Sequence, residues 1–498
     1  MSKRRSSQYL EAFQRHLEDH MDHVPHANPN RRGIDLDPHQ RDGVRAIVSA
    51  IESHRRRISR ISSCGSGKTL EEIAIISASQ AAKEELGING NRKDLLVTDG
   101  RAPVNGIVSQ CRNLGLQTGI WAGGERNLDP PVIIANIQSL VLNRALDTLD
   151  DHLPPSDIDL TIIDEADTFL TGTRLELIND IDPRTLIGFT ATDEWPDGRN
   201  LSSVFGRPVH EMRLREGIRR RVNALPEFLL YESDIEEDSI RIRGGDYDES
   251  SLASALKEVE IHRAIPEIYD QVVPRNARRE WPTLIMVPSI NLVHDVTQTM
   301  QLAYRDITTV GWSGDQTTTR QMNEDMDRFK QGDIQIIVSC EMGGRGMNLE
   351  NAVFMLDGYP CGSLNKLEQR HGRILRRIRP GSELWKQGWR KTQAVIAQVV
   401  PRSNRFRPAL FTDIIGGYRE LQLLHQGGVG NEESGAPQTD IIADLRRRIE
   451  RGRPMHNLTL LQQLDAYELL SRRQDIPTAD EQGFFRYRRP RRFTRANS

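Results

Sequence analysis

Short runs of consecutive apolar residues recur along the chain, separated by longer stretches in which apolar residues return every three or four positions. Leu95 to Thr98, Val132 to Ala135, Leu160 to Asp164 and Leu186 to Thr190 form a first series. They are apolar throughout instead of alternating, which is the mark of strands buried on both faces, and the helical stretches between them argue for parallel strands joined by crossovers. A second series follows at Thr283 to Val287, Ile307 to Val310, Ile334 to Ser339, Ala352 to Leu356 and Ala394 to Val400. Between the two, Val209 to about Arg279 carries the triplet Arg219-Arg220-Arg221, an acidic segment from Ser233 to Ser251 and Gly244-Gly245, and reads as a connector with an insertion. The pattern divides the chain into a polar N-terminal extension (1–33), an α/β domain (34–215), the connector (216–279), a second α/β domain (280–402) and a C-terminal region (403–498). In that last region Gln438 to Arg453 and Leu458 to Arg472 carry helical signals, followed by a basic aromatic tail.

Candidate chemistry begins at Ser63-Cys64-Gly65-Ser66-Gly67-Lys68-Thr69, which follows the stretch Arg57 to Ile61 and opens a helical run from Leu70 to Leu86. Gly65 and Gly67 let the backbone curl with its N–H groups inward, at a helix N-terminus that already favours anions. Lys68 then reaches the β- and γ-phosphates of a nucleoside triphosphate, and the Thr69 hydroxyl is placed for Mg²⁺. The loop is the short form G-x-G-K-T, with Ser62 where a longer phosphate-loop motif has Gly. Downstream, Leu160-Thr161-Ile162-Ile163 ends in Asp164-Glu165-Ala166-Asp167, an apolar strand delivering carboxylates to its C-terminal edge. Two acids there divide the work: Asp164 holds Mg²⁺ through water, and Glu165 orients and deprotonates the water that attacks the γ-phosphate.

Charge narrows the partners only locally. With 67 basic and 70 acidic residues in 498 the net charge is −3, so binding to nucleic acid has to come from patches. Arg446-Arg447-Arg448 and the tail from Arg486 to Phe493, where Arg is interleaved with aromatic residues, are such patches, and the tail also suits a protein partner. No apolar stretch reaches membrane-spanning length, and Met1-Ser2-Lys3-Arg4-Arg5 leads into polar sequence, so a cytoplasmic or nucleoid-associated protein is expected. Cys64, Cys111, Cys340 and Cys361 form no C-x-x-C pair and indicate neither a disulfide framework nor a zinc site. His20, His23 and His26 lack a fourth ligand and are interrupted by Pro25.

The ordered motifs resemble those of superfamily two helicases and translocases. Asp164-Glu165-Ala166-Asp167 spells the DEAD box, and Leu186 to Thr192 with Asp197-Gly198 and Phe205-Gly206 resembles the third motif. Leu36-Asp37-Pro38-His39-Gln40 is similar to the adenine-sensing motif, Ile133 to Leu140 to a strand-contacting motif, and Gln369-Arg370-His371-Gly372-Arg373-Ile374-Leu375-Arg376 to the sixth. The wording, with Leu214-Arg215-Glu216-Gly217-Ile218 after the third motif, is nearest the branch of restriction-enzyme motor subunits, and the similarity runs from about Ile34 to Val400. The resemblance implies two tandem RecA-like parallel-sheet domains with an ATP cleft between them, plus a small, mainly helical C-terminal region.

It further implies ATP and Mg²⁺ as cofactors, with nucleotide contacts from Gln40, Gly65, Ser66, Gly67, Lys68, Thr69, Asp164, Gly346 and Asn348. Catalysis falls to Lys68 and Glu165 with Arg373 and Arg376 as arginine fingers, and coupling to Asp167, Thr190, Thr192, Gln369 and Arg370. Three positions depart from the family: Asn348 stands where relatives carry Asp, Asp193 where Pro is common, and Val97-Thr98-Asp99-Gly100 lacks the usual Pro. The expected activity is ATP-dependent helicase or translocase action with DNA as the favoured partner. An RNA helicase, an ATP-gated remodelling module without unwinding, and a motor subunit whose nuclease lies on another chain stay open.

Overall fold

A computed structural model describes residues 3–28, 30–88, 92–146, 148–154, 157–192, 200–313, 317–340, 349–379, 382–389, 391, 393–402 and 408–415. The chain divides into two compact units, Met1–Arg213 and Leu214–Ser498.

In the first unit the principal elements are α1 (Lys3–Asp19), α2 (Pro38–Glu52), β1 (Arg57–Ser62), α3 (Lys68–Glu85), β2 (Lys93–Thr98), α4 (Arg101–Asn113), β3 (Thr118–Ala122), β4 (Glu125–Arg126), β5 (Val132–Asn136), α5 (Ile137–Ala145), β6 (Ile158–Asp164), α6 (Gly172–Ile181), β7 (Thr185–Thr190) and β8 (Pro208–Met212). The eight strands lie in the order β8-β1-β7-β6-β2-β5-β3-β4, with neighbours parallel except in the β3–β4 hairpin. Successive residues of the central strands enter opposite cores. Leu96, Ile134, Ile162 and Ile187 pack with Val44, Ile47 and Ile73 on one face, while Leu95, Ile133, Ile163 and Leu186 pack with Leu140, Leu177 and Ile178 on the other. Helices cover both faces, so a strand polar on alternate positions would have no solvent to show them to.

The polar N-terminal extension is corrected by α1, an integral helix of this unit. Tyr9, Phe13 and Leu17, four residues apart, form its buried stripe. The stripe packs on α3, with Tyr9 Oη 2.7 Å from Ser79 Oγ. Burying each of these side chains contributes about 1.5–3 kcal/mol. The charged residues on the remaining positions obscured a narrow apolar seam.

The second unit runs β9 (Leu225–Glu236), α7 (Glu249–Glu258), α8 (Ile261–Val272), β10 (Thr283–Met286), α9 (Ile290–Ala303), β11 (Thr309–Trp312), α10 (Thr319–Gln331), β12 (Ile336–Ser339), β13 (Phe354–Asp357), α11 (Leu364–Ile374) and β14 (Gln393–Arg402). Its six strands are ordered β9-β14-β13-β10-β12-β11 and pair in parallel throughout. Both units are thus doubly wound parallel sheets of the RecA-like kind.

The connector 216–279 is also corrected. It begins the second unit: β9 is the sheet's edge strand, in register with β14 from Leu225↔Gln393 to Ser233↔Pro401. Ile261, Ala264, Ile265, Ile268 and Tyr269 of α8 fill the same core as Ile285 and Val338. Glu227 and the acidic residues after Tyr231 hid β9, because an edge strand has a border with water and need not be apolar throughout. Of the C-terminal region, residues 408–415 join the second core through Phe411, whose ring lies 5.8 Å from that of Phe228. The helical signals at Gln438 to Arg453 and Leu458 to Arg472, and the tail, lie outside the described residues. Among the described residues no helix is long and apolar enough to cross a membrane.

Candidate active site

The C-terminal ends of β1, β6 and β7 bring the first unit's predicted residues together. β1 stops at Ser62 and α3 starts at Lys68; in the loop between, Gly65 and Gly67 have φ of 80° and 89°. Gly67, in the left-handed region, caps α3, a place where a side chain would be strained. The first N–H groups of α3 have no partner within the helix, so the loop presents donors and a positive dipole end to an anion. Its shape is held from inside: Ser62 Oγ and Ser66 Oγ are 2.7 Å apart, and His39 Nε2 lies 2.8 Å from the Ser66 carbonyl.

Gln40 supports the loop as well. Its Nε2 donates to the Gly67 carbonyl at 2.9 Å, and its Oε1 accepts the Asp37 N–H at 2.8 Å. The side chain is wholly buried and both ends of the amide are engaged within the protein.

Lys68, 9% exposed, lies with Nζ 3.6 Å from Glu165 Oε1. Neither Lys68 Nζ nor Glu165 Oε2 makes a hydrogen bond, although both atoms are out of solvent. Burial disfavours the Lys68 charge, but the charges of Glu165, Cys64, Asp164 and Glu72 outweigh it and hold the ammonium well above its ordinary value. A buried cation with open donors beside the N-terminus of α3 fits a phosphate chain. Glu165 itself has φ 53° and ψ 50°, rare for a residue with a side chain. Asp164 Oδ1 accepts the Glu165 N–H at 2.9 Å, and the Thr168 N–H and hydroxyl both reach the Glu165 carbonyl at 2.9 Å. Those bonds fix a strained backbone that aims one carboxylate at Lys68.

One acid here escaped the sequence reading. Glu72 stands one turn into α3, four residues after Lys68 and so on the same helix face, with neither carboxylate oxygen hydrogen-bonded. Burial and the nearby Asp164 push its pKa well up. Asp164 is likewise raised, to about 6, by burial and the Glu165 charge. The available signal was a charged residue amid the apolar run Leu70 to Ile76 of a helix entering the core. Ionised, Glu72, Asp164 and Glu165 against Lys68 leave an excess of two negative charges, which suits a divalent cation. Asp164 and Thr69 are the residues that could hold such an ion. Among the described residues no group of three or more His, Cys, Asp or Glu is placed to hold a metal ion by itself.

The predicted coupling residues of this unit also meet. Thr190 Oγ1 is 2.7 Å from Asp167 Oδ1, and Thr192 Oγ1 is 3.4 Å from Asp167 Oδ2. Asp167 is buried, and burial with the Glu165 charge raises its pKa to about 7 against the pull of the Thr190 hydroxyl.

Gln369, Arg370, Arg373 and Arg376 belong to the second unit. Arg370 is engaged inside the second unit. It is 5% exposed, its Nη1 reaches both Asp357 oxygens at 2.8 and 3.1 Å, and its guanidinium covers the Tyr359 ring at 4.4 Å. His371 Nε2 adds a contact to Asp357 Oδ2 at 2.8 Å. Burial alone would raise the Asp357 carboxyl; Arg370 and His371 overcome it and leave the pKa low. The trio fastens α11 to the end of β13. Gln369 and Arg373 are half-buried on α11, Arg373 in its last turn, whereas Arg376 lies past the helix end in an isolated bridge with Asn223, a correction to its placement on the helix. Gly346 and Asn348, like Asp193 and Asp197-Gly198, lie outside the described residues.

Comparison with known proteins supports the same assignment. The family model described as "Type III restriction enzyme, res subunit" matches residues 33–194, and "Helicase conserved C-terminal domain" matches residues 263–377. IRC3 of Saccharomyces cerevisiae, assigned as an ATP-dependent helicase, is 24% identical over 357 residues, covering 68% of this chain and 49% of its own. The chain therefore spans about half the length of that curated relative. Among solved structures, a fragment assigned as the HsdR subunit of a type I restriction enzyme from Vibrio vulnificus YJ016 superposes with a TM-score of 0.55 at 16% identity, covering 78% of this chain and 66% of that one. The tetrapeptide spells DEAD, yet the first-domain match is to the restriction-enzyme family. With its phosphate loop, its acid strand and both matched domains in one order, the chain is related to the superfamily two helicases and to restriction-enzyme motor subunits.

Proposed function

We propose that the chain is a nucleic-acid-dependent ATPase working as a helicase or translocase, with DNA the favoured substrate. The observation that carries this reading is the Lys68–Glu165 arrangement: a buried ammonium lacking hydrogen bonds, at the mouth of a glycine loop, beside a carboxylate held by a strained backbone. Lys68 binds the phosphates, and the N–H groups opening α3 orient them. Thr69 and Asp164 hold Mg²⁺, which when bound neutralises charge on the phosphate oxygens. Glu165 takes the proton of the attacking water at its carboxylate. Arg373 and Arg376 are assigned the charge that builds on the transferred phosphoryl group, a task suited to a guanidinium because it stays protonated. Asp167, Thr190 and Thr192 relay the state of the site to the bound strand.

The test is ATP turnover titrated with single-stranded, duplex and forked DNA and with RNA at one fixed salt concentration, since phosphate contacts are salt-dependent. DNA is expected to stimulate more than RNA. Lys68→Ala, Glu165→Gln and Arg373→Ala are each expected to lower kcat at least 100-fold, the scale of losing one charge-stabilising group. Wild-type turnover in any of them removes that residue from the mechanism, and stronger stimulation by RNA reverses the substrate.

A further inference from the structure

We infer that the first unit carries a second anion site, remote from the phosphate loop, that takes a nucleoside phosphate. It is a cleft of about 510 Å³ at the opposite end of the sheet, where β1, β2, β6 and β7 begin. That volume falls within the range of small-molecule sites, and a lone phosphate would leave most of it empty. The phosphate loop and Asp164 follow the other ends of these strands, so with about 3.3 Å per residue the two places are roughly 20 Å apart.

Four guanidinium groups line the cleft: Arg55 and Arg56 just before β1, Arg92 just before β2 and Arg184 just before β7. Among the described residues two carboxylates are set against them: Asp182, 3.8 Å from Arg56, and the buried Asp159, 2.7 Å from Arg92 and 3.4 Å from Arg184. Lys83 also approaches Asp159 and is itself balanced by Asp94, at 2.6 Å. Four positive charges against two negative ones leave an excess of two. Arg55 also donates to the Arg207 carbonyl at 2.7 Å, and Arg56 to those of Pro183 and Arg184, both at 3.2 Å, bonds that satisfy N–H groups without cancelling charge. The crowding shows on Arg184, whose pKa is pulled down by burial and, despite Asp159, by Arg92 and Arg56. An arriving phosphate group relieves that repulsion.

The rest of the lining decides against a bare oxyanion. Leu10, Ile51 and Ile158 supply an apolar wall, and Asp182 is an acceptor for sugar hydroxyls or an exocyclic amine. A ligand with a charged phosphate end, a polar middle and a planar apolar end uses all three.

The experiment is calorimetric titration of the full chain with ADP, in wild type, Lys68→Ala, R55Q/R56Q and the triple variant, with thermal melts to confirm folding. Arg56 is 62% exposed, so the double change spares the core. Wild type is expected to bind two ADP molecules, and R55Q/R56Q one, with the other site weakened at least tenfold. The triple variant should then lose both. A single wild-type site that Lys68→Ala removes, or two sites indifferent to R55Q/R56Q, overturns the proposal. A single-stranded DNA titration runs beside it: weaker DNA binding in R55Q/R56Q with ADP stoichiometry unchanged at one makes the cleft a strand contact and overturns it too.

Discussion

Replacing Arg60 by Met should cost the first unit about 3–5 kcal/mol, whereas replacing Arg60 and Glu71 together by Met should cost under about 1 kcal/mol. Arg60 lies on β1 two residues before its end, and Glu71 in the first turn of α3, so their ion pair ties the strand entering the phosphate loop to the helix leaving it. Both side chains are fully buried, with Arg60 Nε 3.1 Å from Glu71 Oε2 and Nη2 3.4 Å from Oε1. Gly43 makes room for them: a Cβ there would stand 2.4 Å from both Arg60 Nε and Glu71 Oε2. Burial already raises Glu71 to about 7 even with Arg60 beside it. The single variant strands a carboxyl that must stay protonated or ionise unpaired; the double variant removes both desolvated groups and fills the space with thioether side chains.

The pH dependence has a defined sign. A folded-state pKa raised above the ordinary 4.5 gives stability that is complete below 4.5 and lost as pH rises through the folded value, and losing Arg60 moves that value above 7. The deficit of R60M relative to wild type is therefore small near pH 5 and grows beyond pH 7. Hydrogen exchange of peptides from β1 and α3 under mild denaturant measures it without interference from the second unit. Above pH 7, a single-variant cost below about 1 kcal/mol, or a double variant as damaged as the sum of the two singles, would refute the assignment of a desolvated, mutually dependent pair.

In the second unit, Lys391 is buried, its Nζ 3.1 Å from the Glu350 carbonyl, and burial lowers its pKa to about 7. Between about 7 and the ordinary 10.5 the unfolded chain binds the extra proton, so stability rises with pH across that window. Lys391→Met should flatten the rise and raise Tm more at pH 6.5 than at pH 9.5; an equal shift at both values argues against a neutralised lysine. Thr190→Val removes the 2.7 Å contact to buried Asp167, a charge-assisted bond of about 1.5–3 kcal/mol. Its expected signature is DNA-stimulated ATPase falling toward the basal rate, with Thr190→Ser restoring it. A parallel loss of basal and stimulated rates would place Thr190 in the chemistry instead.

What could be read without coordinates follows from how far each signal travels along the chain. The central strands were legible because burial on both faces leaves a local mark, a run without polar gaps, as in Val132 to Ala135. The loop and acid strand were legible because phosphate and metal chemistry demands particular residues within a few positions. β9 was not, since an edge strand borders solvent and its acidic residues imitate a linker.

Arg370 and Gln40 show another limit: their residue types suit nucleotide contacts, but which tertiary neighbours engage their donors is not written in the motif. Asp357 lies thirteen positions before Arg370, and Gly67 twenty-seven after Gln40. Glu72 shows the converse, a role visible only once α3 is docked with that face beside the end of β6, because sequence spacing relates Glu72 to Lys68 but not to Asp164. The strain at Glu165 belongs to the same class. No pattern of residues announces a left-handed glutamate, yet that backbone angle, held by Asp164 and Thr168, aims the carboxylate at Lys68. A motif names the groups at such a site; the bonds among its neighbours decide which remain available to a ligand.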